Sequence, residues 1–553
     1  MTIVRGLSRF LIVAVLAGPL TVLVACALVD WGPDGLPRLT AFPLGLALAD
    51  PFFVEGARNS LVASALAATL ALGLGCLLGR QVAQARSWAR KPLTVLALAP
   101  AAMPTLYAAL GLRNSLDWLA QAFGPGALRE AVNLWGTEVA WVLTAVLTGA
   151  QWVAWAVVES LRRVGPASIS SAHLLGVSSR RTWRDLVWPN VRPAAAGAAA
   201  AVFARTLGDP APPVLLGVRC SLAHQVFSAL TVPLAMTRLA LLGSVTLGLA
   251  VIGWRVIVWW GGRDVQAGPP STQLGTTIGP GKRGLLGLLA LSGLAAPCWL
   301  PVLGLALGFG PIRGDTNSAL TRAIMDPIVL AALWDSLVLG AIVGPILWAL
   351  TSVGGPLGFF GRLASLSPPA LGIGILLLPH LLTTILIGTP ALPYWLDWDP
   401  TRSDLFLVWA TAASLLPPAL MLCKPREWKY NGRSRQALEE AAMLMGLSRA
   451  QARGLARPFR LAPAAALASI SLLVLLSATA VTPALLLPRT PNGGPFAALA
   501  LELADSRGPA QQEVALLGSL AFLTNWVALS LVVTRVLDRG PAHLSREGTI
   551  PLV

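Results

Sequence analysis

Residues 61–79, LVASALAATLALGLGCLLG, run nineteen positions without a charge or a proline. Wound as α-helix at 1.5 Å per residue they reach roughly 28 Å, close to the ~30 Å of hydrocarbon in a bilayer. Lipid offers no partner to a free N–H or C=O, and a helix pairs these groups within itself. The stretch therefore reads as a transmembrane helix, and the next question is how often the chain repeats it.

It repeats throughout. Runs of span length are Phe10 to Val29, Leu93 to Leu112, Val139 to Val158, Leu239 to Trp260, Leu285 to Leu307, Leu337 to Val353, Pro369 to Ile387, Leu405 to Cys423, Ala462 to Val481 and Val514 to Leu537. With residues 61–79 they make eleven, and a twelfth, Ala194 to Leu216, is interrupted in its outer half by Arg205, Asp209 and three prolines. Composition agrees: of 553 residues 55% are apolar and 12% charged, with a mean hydropathy of +0.69, whereas soluble domains carry about 25% charged residues. The expected fold class is an all-α polytopic membrane protein of about twelve transmembrane helices.

Lys and Arg in short loops stay on the cytoplasmic side. Arg5 and Arg9 precede the first span, and Arg80, Arg86, Arg90 and Lys91 follow the second. Arg162, Arg163, Arg180, Arg181, Arg184 and Arg192 follow Val158, and a further basic cluster runs from Lys424 to Arg460. All fall on one side, which places both termini in the cytoplasm. The net charge of +16 is then a consequence of topology, and nucleic acid is not an expected partner; membrane lipid is. The twenty tryptophans against three tyrosines suit interfacial anchoring.

Five cysteines, Cys26, Cys76, Cys220, Cys298 and Cys423, show no CxxC spacing and read as small packing residues. Leu23-Val24-Ala25-Cys26 has the form of a lipoprotein cleavage box, so either the chain is processed at Cys26 or a first span has produced the pattern by chance.

Residues 261–284, GGRDVQAGPPSTQLGTTIGPGKRG, are polar and rich in Gly and Pro, as a linker is. They divide the chain into a first part, 1–260, and a second, 285–553, with six spans each. Both parts carry a Pro-led span, at Pro104 and at Pro369, and then a long basic loop, about 159–193 in the first and about 424–461 in the second. The spacing of these landmarks, 265 positions for the prolines and 270 for Gly176 and Gly446, indicates internal duplication.

The loops share a pattern. In the second, Glu440-Ala441-Ala442 is followed after three residues by Gly446 and later by Pro458; in the first, Ser170-Ser171-Ala172 is followed by Gly176 and Pro189. Ala437, Ala441, Leu444 and Met445 share one helical face, Gly446 permits a left-handed turn, and Pro458 or Pro189 marks a break before the next span. By themselves such loops are either interfacial amphipathic helices or docking levers for a partner.

The pattern resembles the cytoplasmic loop signature of bacterial ABC importer permeases: Glu-Ala-Ala, three residues, Gly, and a later Pro. Ser170 stands where that signature has Glu, and neither copy has its apolar-Leu-Pro ending. The fused twelve-span layout and the stretch RTWRDLVWPNVRPAAAGAAAAVFARTLGDPAPPVLLG, residues 181–217, are similar to the thiamine and ferric-iron uptake group. The resemblance implies a type I importer of the bacterial inner membrane. In such a system one permease works with two copies of an ABC ATPase subunit and a periplasmic substrate-binding protein. It implies that Ser170, Ala172, Gly176, Pro189, Glu440, Ala441, Ala442, Gly446 and Pro458 belong to the ATPase-coupling loops. ATP and Mg would be bound by the partner, since the chain has no GxxxxGK[ST] loop. No cofactor, metal site or enzymatic chemistry is expected in this chain, whose four histidines are isolated in sequence.

Ionisable groups inside spans are costly and often functional. Arg205 and Asp209, four apart, either line the translocation pathway or pair as helix neighbours. His380, after Pro379, is either a packing residue or a gate beside a kink. The alternative function is an ion-gradient-driven secondary transporter of two six-helix parts, and a third reading is a membrane scaffold. The basic loop after residues 61–79, GRQVAQARSWARK, holds no acid, which disfavours the secondary transporter. Thiamine, ferric iron, a polyamine and an organophosphonate all remain open as substrates.

Overall fold

The computed structural model describes residues 18–31, 37–39, 42–84, 100, 103–122, 127–161, 164, 171–231, 236–262, 296–307, 327–354, 373–375, 377, 407–412 and, apart from 520, 524, 528 and 529, 518–530. Ser170, Glu440, Ala441, Ala442, Gly446, Pro458 and His380 lie outside the described residues, as does the linker beyond Gly262.

The described chain is overwhelmingly helical. Four helices are long and apolar enough to cross a membrane, over Pro51–Ala83, Gly136–Val158, Arg238–Gly261 and Pro327–Trp348, and the protein is a membrane protein. In chain order the elements begin with α1 (Gly18–Leu28), β1 (Val29–Trp31), β2 (Pro37–Leu39), α2 (Phe42–Ala49), α3 (Pro51–Gln84), α4 (Thr105–Ala122) and α5 (Ala127–Leu161). They continue with α6 (Trp188–Gly208), α7 (Ala211–Leu216), α8 (Leu222–Thr231), α9 (Met236–Gly261), α10 (Leu300–Leu307) and α11 (Pro327–Gly354).

One short strand pair interrupts the helical architecture. The first span ends at Leu28, and Val29 enters a short antiparallel pair in which Val29 faces Leu39 and Trp31 faces Pro37. With one partner strand, Pro37 occupies an edge, where a missing N–H is tolerated.

Helix α3 shows how the sequence sets its own boundaries. The Asp50 carboxylate accepts the Phe52 N–H at 3.0 Å, capping the N-terminus, and Pro51 occupies the first turn, where no N–H is needed. The helix then runs 34 residues, about 51 Å, well beyond the stretch 61–79. Leu61, Val62, Leu66, Leu70 and Leu77 are exposed to the surroundings, while Ser60, Ser64, Ala67, Ala71 and Leu78 are buried on the other face. Large side chains outward and mostly small ones inward is the arrangement lipid favours, because close packing rather than water exclusion holds membrane helices together. Gly75 and Gly79 lie on α5: a methyl on Gly75 would fall 2.5 Å from the Ala150 carbonyl oxygen, and one on Gly79 would fall 2.8 Å from that of Ala154. Both contacts advance in the same chain direction, so α3 and α5 are parallel.

Helix α6 packs against α5 where Gly149 meets Val202, and against α9 where Gly253 meets Phe203 and Gly261 meets Ala196. The contacts with α9 run in opposite chain directions. The first turns of α4 occupy the centre: every residue from Thr105 to Leu112 is buried, while Arg113, Asp117 and Trp118 further along are exposed. Of the expected span Leu93 to Leu112, residues 93–99 lie outside the described residues; the described helix starts after Pro104, whose carbonyl accepts the first helical bond from Ala108 at 3.0 Å, and continues to Ala122. The expected span Ala194 to Leu216 is split: Asp209 is extended (φ −79°, ψ 112°) between α6 and α7.

Contacts among the described residues cross between the N-terminal and C-terminal parts. Gly111 of α4 is in backbone contact with Pro301 and Gly304 of α10, and Ser115 Oγ donates to the Leu300 carbonyl at 2.9 Å. In the other direction, Gly374 is in backbone contact with Pro19 of α1, while Gly243 of α9 meets both Leu23 and Ile373. Helix α4 thus lies on α10, and residues 373–375 lie on α1 and α9.

Candidate functional site

The first basic loop is described from Ser171 onward. Residues 171–174 form one helical turn, with Leu175 N–H bonded to the Ser171 carbonyl at 3.0 Å. It ends in a left-handed Gly176 with φ +74°. Gly176 N–H reaches the His173 carbonyl and Val177 N–H reaches the Ala172 carbonyl, both at 3.0 Å. This pair of bonds is the Schellman closure, which leaves no frayed carbonyls and uses glycine for its positive φ. A Cβ at Gly176 would meet nothing within 4 Å, so the demand for glycine is conformational, as the signature implies.

The turn presents Leu174 and Leu175 at 88% and 82% exposure. Both were absent from the residues singled out in the sequence, although two adjacent leucines before the signature Gly were the available sign.

Ser178 then caps the next helix. Its hydroxyl lies 3.5 Å from the Arg181 N–H, and its carbonyl accepts the Thr182 N–H at 2.9 Å. Residues Thr182–Val187 are wound as a π-helix, in which Trp188 N–H reaches back five residues to the Trp183 carbonyl. Pro189 does not break the chain before the span, contrary to expectation. It sits in the first turn of α6, where its missing N–H and its ring need room on the preceding turn, and the wider π winding gives that room. The Asn190 side chain donates to the Leu186 carbonyl at 2.7 Å, pairing a group the irregular winding frees.

This lead-in is fastened to three helices. Val187, Val191, Ala195 and Ala199 pack in one buried cluster with Ala83 of α3 and with Val153, Val157 and Leu161 of α5. The Arg80 guanidinium lies 4.8 Å from the Trp183 ring centroid, and that of Arg192 lies 4.7 Å from Trp260 of α9, each a cation–π contact. Around the turn Arg180, Arg181 and Arg184 are exposed. Hydrogen bonding and attraction from Asp185, at 2.8 Å, raise the pKa of the Arg184 guanidinium above its ordinary value.

Arg205 and Asp209 are brought together, but loosely. Their closest approach is 3.9 Å, with the Arg205 side chain 42% and the Asp209 side chain 8% exposed. The stronger partner of Asp209 is Thr105, whose hydroxyl donates to Oδ2 at 2.6 Å, while Ala211 N–H donates to Oδ1 at 3.1 Å. The carboxylate thus caps the start of α7 and touches the start of α4, where helix dipoles favour negative charge. Asp209 is thus bonded chiefly to Thr105 and to the Ala211 N–H. Thr105 was missed because it is 104 residues from Asp209. Comparison of the chain with protein-family models, with curated proteins and with solved structures found no match.

Proposed function

We propose that this chain is the permease subunit of an ATP-driven importer, with the segment 171–187 as the first of its two coupling loops. The observation that carries the reading is the turn at 171–176: two leucines held out of the protein by a glycine-closed turn, at the foot of a helix bundle. Exposed apolar anchors of this size mark a partner site, and burying each stabilises a complex by about 1.5–3 kcal/mol. The surrounding arginines favour an acidic rim on that partner.

In this reading ATP binding closes a pair of ATPase subunits. The turn moves with the ATPase, and the π-wound lead-in passes the displacement into α6 and the helices packed on it. The second loop, with Glu440, Ala441, Ala442, Gly446 and Pro458, would do the same for the C-terminal part. The reciprocal contacts, Gly111 with Pro301 and Gly374 with Pro19, support two related parts that cover each other's centres. A periplasmic binding protein would deliver the solute, and ATP and Mg would be held by the ATPase. A secondary transporter would want a buried acid free to take an ion. Asp209 is buried but is already bonded to Thr105 and Ala211, which weighs against it.

The test is co-purification of the tagged chain from its own membranes. A nucleotide-binding subunit is expected with the unaltered protein and lost with the double change Leu174→Asp and Leu175→Asp, at equal membrane level and equal thermal midpoint. Recovery of no such subunit, or its full retention by the double variant, sinks the proposal.

A further inference from the structure

The polar side chains of α5 fall into two kinds. Thr144 and Thr148 are buried and return their hydroxyls to their own helix, to the Ala140 and Thr144 carbonyls, at 2.7 and 2.8 Å. Gln151, one turn further on, is completely buried, and neither its Nε2 nor its Oε1 has an oxygen or nitrogen partner at hydrogen-bond geometry among the described residues. What it faces is the thiol of Cys298, itself buried, at the entrance to α10. A thiol is among the weakest donors and acceptors a protein has. A buried primary amide whose polar neighbour is only a thiol is a standing cost to this conformation, and polar groups inside a membrane bundle mark pathways.

The place of the pair gives the cost a use. Gln151 belongs to the N-terminal part and Cys298 to the C-terminal part, on the same seam where Asn114 and Ser115 of α4 reach the Gly304 and Leu300 carbonyls at 3.3 and 2.9 Å. Those polar groups are satisfied with the seam closed; Gln151 is not. We infer that this seam opens during transport and that Gln151 then offers its amide, one donor and one acceptor group, to a solute bearing neutral hydrogen-bonding groups. The inference rests on the permease reading above and adds the point at which the solute is met.

The test uses the full chain in membrane vesicles with Cys26, Cys76, Cys220 and Cys423 changed to serine, so that Cys298 is the one thiol. Modification by 2-aminoethyl methanethiosulfonate, a small water-borne reagent, is timed well below the unfolding midpoint. The same is done with Gln151→Met added, which keeps the side chain's length and removes both polar atoms. Cys298 is expected to react in the folded protein, and Gln151→Met to raise the midpoint while slowing the reaction about tenfold, or about 1.4 kcal/mol in the opening equilibrium. Reaction only where the protein unfolds, or equal rates with Gln and Met, overturns the inference. Should the Met variant not reach the membrane, the reaction of the parent below its midpoint decides alone. No ATPase takes part, so this result and the co-purification result stand or fall separately.

Discussion

Replacing Gly176 separates backbone geometry from contact, because the two make different forecasts at this position. Its φ is +74° and an added Cβ would touch nothing within 4 Å, so no clash contributes and the whole cost is conformational. For alanine in the left-handed region that cost is about 1–2 kcal/mol, which lowers the closed turn relative to open forms by roughly five- to thirtyfold. Asparagine tolerates this region better than alanine, and valine worse, since its branched Cβ crowds the backbone. The expected order is Gly, Asn, Ala, Val. Amide hydrogen exchange at Val177, whose N–H is held by the Ala172 carbonyl, reads it directly. Protection should fall about five- to thirtyfold in Gly176→Ala and less in Gly176→Asn. The thermal midpoint should stay put, because the turn lies outside the packed bundle. Equal protection in all four proteins, or asparagine behaving worse than alanine, would show that the left-handed closure is not what glycine supplies.

Other consequences follow from the packing. Gly75→Ala and Gly79→Ala should each destabilise by about 1–3 kcal/mol through overpacking against α5. Gly73→Ala, whose Cβ would meet nothing within 4 Å, should be neutral or slightly stabilising; denaturation in detergent ranks the three. Thr105→Val should cost about 1.5–3 kcal/mol by removing the hydroxyl donor from the buried Asp209 carboxylate. Adding Asp209→Asn should then cost less than it does alone, and additive effects in this double-mutant cycle would show that the two do not interact. His224 titrates below its ordinary 6.5 because of partial burial and the nearby Arg219. The unfolded chain therefore takes up its proton first, and stability should be complete above about pH 6.5 and decline as pH falls below it. His224→Gln should flatten that decline in a pH series of thermal midpoints.

The features legible in the sequence were the local ones. Residues 61–79 announced a span because uninterrupted apolar composition has one solution in lipid. Asp209 and Pro210 announced the interruption between α6 and α7. Pro104 was harder: it lies within an apolar run, and hydropathy does not register that a helix starts behind it. Contacts between distant segments left no local trace. Thr105 and Asp209, Gln151 and Cys298, and Arg80 and Trp183 are each ordinary residues until the fold sets them side by side. The small residues Gly75 and Gly79 were visible, but which helix they would meet was not. The residues of the second loop, Glu440 to Pro458, and His380 lie outside the described residues and stand as the sequence left them.

The reciprocal hold of Pro19 on Gly374 and of Gly111 on Pro301 bears on why such a protein is made as one polypeptide. Tethering turns each encounter into an intramolecular event at a fixed effective concentration, whatever the level of synthesis. Correct mating then needs no surfaces strong enough to hold separate chains together at low concentration.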